Sequence, residues 1–182
     1  GIVVYGSTDK SLTWGTSGTK WTLTGGAFQA PELNITGVST FNSSATFKGA
    51  DFDGGSILRE KVNVTAGKLS DNTNINVDNG MVHLFTTAET ATSTPNITSS
   101  AGINTQMGVG DCMVVTIITT AAAAAFSAEL TIDHAAVTEN WIGGEAPAAG
   151  GSSGVDIYSY TIIKTASATY TVVGNLSKTS AA

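Results

Sequence analysis

The chain has 182 residues, enough for one ordinary domain with a real hydrophobic core and too few for two full ones. Its 8 basic and 14 acidic residues leave a net charge of -6, the wrong sign for binding nucleic acid or an anionic membrane surface through counterion release, so neither partner is expected. Charged residues are only 12% of the chain, about half the usual share, and this low charge together with abundant Gly, Ala, Ser and Thr points to a β-rich, rigid, extracellular-type or structural protein. The lone cysteine excludes an intramolecular disulfide framework and a thiolate zinc site; within DCMVVTIITT, Cys112 is expected in the core. No run approaches the 18 apolar residues of a spanning helix and no signal-like block is visible, so membrane insertion is not expected. Gly1 in place of Met suggests a processed product or part of a longer chain.

In chain order, residues 1–26 carry short Thr- and Trp-rich runs, SLTWG and KWTLTGG, around Gly15-Thr16-Ser17-Gly18, which predicts an N-terminal β-hairpin serving as an attachment segment. Residues 27–55 are different. Ile35, Phe41, Phe47 and Phe52 recur at spacings of six, six and five, which fits neither a helix nor a half-buried strand. A buried Phe or Ile contributes about 1.5–3 kcal/mol, whereas each ordered residue costs about 1.5 kcal/mol. Four such residues cannot hold this segment as a lone stalk. It must lie on another surface or repeat the burial between copies, and a trimeric β stalk with Ile35, Phe41, Phe47 and Phe52 as its core meets that need.

From residue 56 to 182 the chain becomes a succession of candidate strands: ILREKVNVTA, NINVD, MVHLFTT, CMVVTIITT, AELTID, AVTENWI, VDIYSYTIIK and TYTVVGNL. Asp78-Asn79-Gly80 and Asp133-His134 are turn signals at hairpin distance. In VDIYSYTIIK, Val155, Ile157, Ser159 and Thr161 share one face and Asp156, Tyr158, Tyr160 and Ile162 the other, which suits a strand buried on one face and contacted on the second. The run Ala121 to Ala125 lacks caps and an amphipathic period and reads as a loop or one helical turn. The weakly patterned TTAETATSTPNITSSAG reads as a surface excursion. The expected fold is all-β, its head an antiparallel, jelly-roll-like β-sandwich.

Few residues offer chemistry. His83 and His134 stand in no metal spacing and beside no nucleophile motif, so both read as structural. The carboxylate pairs nearest in sequence, Asp51 with Asp53 and Glu139 with Glu145, are the only candidates for glycoside hydrolysis. The oxygen-rich run from Asp71 to Gly80 lacks the ligand order of a calcium loop and is read as turns. No catalytic residue, metal or cofactor is expected. For carbohydrate, the available aromatic faces are Trp141, Tyr158 and Tyr160 beside Asn140 and Asp156, with the competing reading that Trp141 and a tyrosine face lie in the core.

The stretches NITGVSTFNSSATFKG, REKVNVTAGKLSDNTNINVDNGMVHLFTTAET and MVVTIITTAAAAAFSAELTIDHAAVTENWIGGEAPAAGGSSGVDIYSYTIIKTASATYTV resemble segments of tailed-phage virion structural proteins, particularly those of phages infecting marine cyanobacteria. The resemblance covers about residues 33–180 and implies a non-enzymatic virion component, commonly homotrimeric, with a β-rich distal head. On that basis the expected role is a tail-fibre or appendage subunit on the particle surface. It would contact other virion proteins through its N-terminal segment and a host-surface glycan or protein through its head. A capsid decoration protein is the alternative, and a glycan-degrading tail spike the third reading.

Overall fold

The computed structural model describes residues 59–181 and two short strands at 11–14 and 21–24. The expected stalk residues Ile35, Phe41, Phe47 and Phe52, the turn at 15–18, and Asp51 and Asp53 lie outside the described residues. The chain divides into two units, Gly1–Asp53 and Gly54–Ala182. In the first, β1 (Ser11–Trp14) pairs antiparallel with β2 (Trp21–Thr24), setting Trp14 opposite Trp21.

The second unit is mostly β and contains a six-stranded and a four-stranded sheet. The larger holds β3 (Val62–Thr65), β5 (Val82–Ala88), β7 (Cys112–Thr120), β10 (Glu139–Trp141), β11 (Val155–Ala166) and β12 (Thr169–Lys178), in the order β10-β12-β11-β7-β5-β3. The smaller holds β4 (Asn74–Asn76), β6 (Asn96–Thr98), β8 (Thr131–Ile132) and β9 (Ala135–Ala136), in that order. A single helical turn, α1 (Ile103–Gln106), lies between β6 and β7 and buries Ile103.

From β3 to β8, successive strands alternate between the sheets. β3, β5 and β7 are parallel neighbours in the larger sheet, and β4, β6 and β8 are parallel neighbours in the smaller. The chain therefore winds as a short coil, each turn contributing one strand to each sheet. Its inner face is continuous: Ile75 stands beside Ile97 and Ile97 beside Ile132, each no more than 1% exposed. Phe85, Val115, Ile117, Tyr158, Tyr160 and Ile162 join the same core from the larger sheet. A polar ladder runs next to the isoleucines. The Asn96 Nδ2 donates to Asn74 Oδ1 at 2.8 Å, while Asn96 Oδ1 accepts from Thr131 Oγ1 at 3.0 Å and from the His134 amide at 2.8 Å.

The turns have the chemistry that their residues supply. Asn76 Oδ1 accepts from the Asp78 amide, and Gly80, at φ +121°, brings the chain so close to Lys61 that a Cβ would stand 2.7 Å from its carbonyl oxygen. Asp133 and His134 both have positive φ and close β8 onto β9 as a two-residue hairpin turn. The alanine run is a loop with one turn, as its composition predicts. In β11, Asp156, Tyr158, Tyr160 and Ile162 are buried while Val155, Ile157, Ser159 and Thr161 are half-buried, the division that alternation predicts.

Three expectations are corrected. The antiparallel jelly roll is not what forms: antiparallel pairing within this unit is confined to β8–β9, β7–β11 and β11–β12, because the coil returns every other strand in the same direction. The supposed surface excursion contains β6, where Pro95, Asn96 and Ile97 are buried; one isoleucine suffices there because its apolar neighbours come from adjacent turns of the coil. Cys112 is exposed, since the buried phase of β7 is Val115, Ile117 and Thr119.

His83 illustrates how burial sets charge. It is 2% exposed; Nε2–H donates to the Gly80 carbonyl at 3.0 Å, leaving Nδ1 to accept from Asn63 Nδ2 at 3.1 Å. Burial holds its pKa below the ordinary 6.5, against the opposing effect of the Gly80 bond. The unfolded chain then binds a proton that the folded chain does not, so this contribution to stability is full above pH 6.5 and falls as the pH drops below that value. Urea unfolding between pH 7 and 5 should show that loss, with a shallower pH slope in His83→Gln than in the native protein. At the centre of the stack, Ile97→Ala should cost about 2–5 kcal/mol in the same assay and Ile97→Val about 0.5–1.5 kcal/mol; a surface-like cost for Ile97→Ala would contradict the coil.

Candidate functional site

The aromatic residues singled out for ligand contact do not form one open surface. Tyr158 and Tyr160, at 1% and 0% exposure, lie in the core on the inner face of β11, with parallel rings 6.4 Å apart. They are corrected from surface-binding to packing residues, for the reason alternation gives: their face of β11 is the one turned toward the smaller sheet. Burial pushes the Tyr158 hydroxyl up to about 12 and that of Tyr160 further still, so both stay protonated.

Trp141 is half-buried at the end of β10 and meets the core edge-on, its ring 5.9 Å from that of Tyr160. It can lie there because Gly174 is the residue beneath it; a Cβ at that position would stand 3.0 Å from the indole. The outer side of Trp141 helps wall a recess of about 130 Å³, with Ile142 and Leu176 beside it and Glu145, Asn175 and Lys178 on its rim. One flat aromatic, an amide, a carboxylate and an ammonium thus line one recess, where the sequence marked Trp141 and Glu145 for different roles. Asn140 is turned elsewhere, its amide donating to the Val172 carbonyl.

A larger recess of about 350 Å³ lies between the chain entering β6 and the loop before β8, lined by Thr92, Ser93, Thr94, Phe126 and Glu129. Hydroxyls dominate it, and Ser93 Oγ is also bonded to Ser127 Oγ at 2.9 Å. No motif in TTAETATSTP points to this recess; only the folding of β6 against the coil creates it. Both recesses are partly open at the surface rather than enclosed.

The buried charges serve the backbone. Glu89 accepts from the amides of Leu69 and Ser70, and the half-buried Glu139 likewise accepts from the amide of Leu130. Asp156, fully buried, accepts from the Gly151 amide with both carboxylate oxygens at 2.9 Å. Lys164, 7% exposed, donates to the carbonyls of Asn104 and Met107 at 2.6 and 2.9 Å, clamping the end of α1. Glu139 and Glu145 are thus not a matched pair, since the first is tied to backbone and the second stands on the Trp141 recess. Among the described residues, no cluster of three or more His, Cys, Asp and Glu side chains could hold a metal, and no helix is long and apolar enough to cross a membrane.

Comparison with protein-family models, with curated proteins and with solved structures returned no significant match.

The two core tyrosines separate on hydrogen bonding. The Tyr158 hydroxyl accepts from the Ser127 amide at 3.1 Å, whereas that of Tyr160 is buried without a partner. Tyr158→Phe strands a buried amide and should cost about 1–3 kcal/mol, while Tyr160→Phe removes an unpaired hydroxyl and should be neutral or stabilising. Chemical unfolding of the two variants beside the native protein measures the difference; equal losses would refute the assignment.

Proposed function

We propose that the protein is a non-enzymatic structural subunit of a tailed-phage virion, a homotrimeric fibre or appendage that displays its β head for host-surface attachment. The use made of the buried charges fits this reading: Glu89, Asp156 and Lys164 each bond to backbone and so brace the head, as a display scaffold needs. The resemblance of residues 33–180 to virion structural proteins supplies the setting. In this reading residues 1–26, with the paired β1 and β2, dock on another virion protein, and residues 27–55 form the trimeric stalk around Ile35, Phe41, Phe47 and Phe52.

The head then works by multivalency. A shallow site such as the Trp141 recess binds a glycan or protein surface weakly, and three copies gain avidity when geometry lets them engage together. Gold-labelled antibody against the head, applied to purified cyanophage particles that contain the chain, should decorate tail appendages. Gold on the shell would replace this reading with capsid decoration. Release of reducing sugar from host envelope by the purified protein would replace it with a glycan-degrading spike, and particles without gold would sink it.

A further inference from the structure

The inner face of the six-stranded sheet packs on the smaller sheet; its outer face has a different character. The registers place Val62 beside Val82 and Thr116, and Val64 beside Leu84, Ile118 and Ile157, all on the face opposite His83, Ile117 and Tyr158. None of these outer residues belongs to the core cluster, and Val64, Val114 and Val62 are 61%, 48% and 39% exposed. On this face β3, β5, β7, β11 and β12 present only Val, Leu, Ile, Thr, Ser, Asn, Cys and Ala, with no charged side chain.

We infer that this outer face is a self-association surface, turned inward in the trimer and covered there by the neighbouring copies of the same chain. Two arguments name that occupant. The first is area: five strands about 4.8 Å apart and four rows of outward side chains make a face of roughly 600 Å², or about 1,200 Å² over two copies, the lower end of the range of specific interfaces. That is the upper end of what the largest patch on a monomer reaches, and patches of that size often serve association. The second is charge. Copies of a chain with net charge -6 repel one another, and the repulsion is least where the meeting surfaces carry no charge at all. A basic partner would instead be drawn to the acidic remainder of the surface.

The inference rests on the assembly reading above and deepens it by naming where the heads meet. It is tested on the full chain with Cys112→Ser, carrying single cysteines at Val62, Val64, Val114 or Val173, the last two flanking Thr161 on this face, and, as control, at the exposed Ser152. Solution mass is measured first, then a short bis-maleimide is added and covalent dimers are read on a denaturing gel. Face positions are expected to cross-link and Ser152 is not. Adding Val64→Glu and Val114→Glu to the Val173→Cys chain should cut the dimer yield by about tenfold or more through like-charge repulsion, with the circular dichroism of the head unchanged. An oligomeric mass without cross-links at any face position, or a yield indifferent to the glutamates, overturns this surface and leaves assembly through residues 27–55 standing. A monomeric mass overturns both.

Discussion

The stacking of Ile75, Ile97 and Ile132 in register on parallel strands is the constraint from which the rest of the head follows. Each of the three strands is too short to be stable alone, and each offers the core a single large side chain. Only by repeating the same cross-section does the chain assemble a continuous apolar row, and repetition forces the returning strands of the larger sheet to run parallel as well. The polar ladder of Asn74, Asn96 and Thr131 then becomes an asset. It would be a liability in a lone strand, where the amides would have only water, but in the stack each one finds its neighbour and fixes the register to the residue.

A coil of this kind must also stop. β7 is its last strand in the larger sheet, and on its free side lies β11 of the long β11–β12 hairpin, antiparallel to β7 and therefore not a continuation of the winding. The hairpin is tied to the coil at several points by groups that would be costly if left alone. Lys164 reaches the carbonyls at the end of α1, the Ala168 amide donates to Asn104 Oδ1, and the Tyr158 hydroxyl accepts from Ser127. With charged residues so few, those that are buried are placed where backbone amides or carbonyls compensate their desolvation.

Much of this was legible in the chain. The strands of the larger sheet stand where alternation and β-branched runs put them, and the turns at Gly80 and at Asp133-His134 follow from residues that tolerate positive φ. Strand direction was not legible, because a period of two marks faces and carries no information about whether the neighbour runs parallel. Nor was β6, since Asn-Ile-Thr among threonines and serines has one apolar residue and its partners lie in other turns of the coil. At the candidate site the sequence pointed to Trp141 but joined it to two tyrosines; the phase of β11 decided between rim and core, and nothing local could reveal that Glu145, Asn175 and Lys178 would gather round the indole.

The edges of the larger sheet bear on how such a head can associate. Among the described residues its outermost strands are short: β10 has three residues and β3 four, and β3 is led in by Arg59-Glu60-Lys61, all exposed. Short strands and adjoining charges are the means by which sheets discourage edge-to-edge pairing. The broad face between those edges carries no such guard. Its valines and isoleucines are accompanied by threonines rather than by the lysines and glutamates that commonly keep a solvent-facing sheet apart from its neighbours. A sequence that places charge beside its edge strand and omits charge from its face is patterned against edge-to-edge sheet growth and leaves the face as the part of the sheet open to contact.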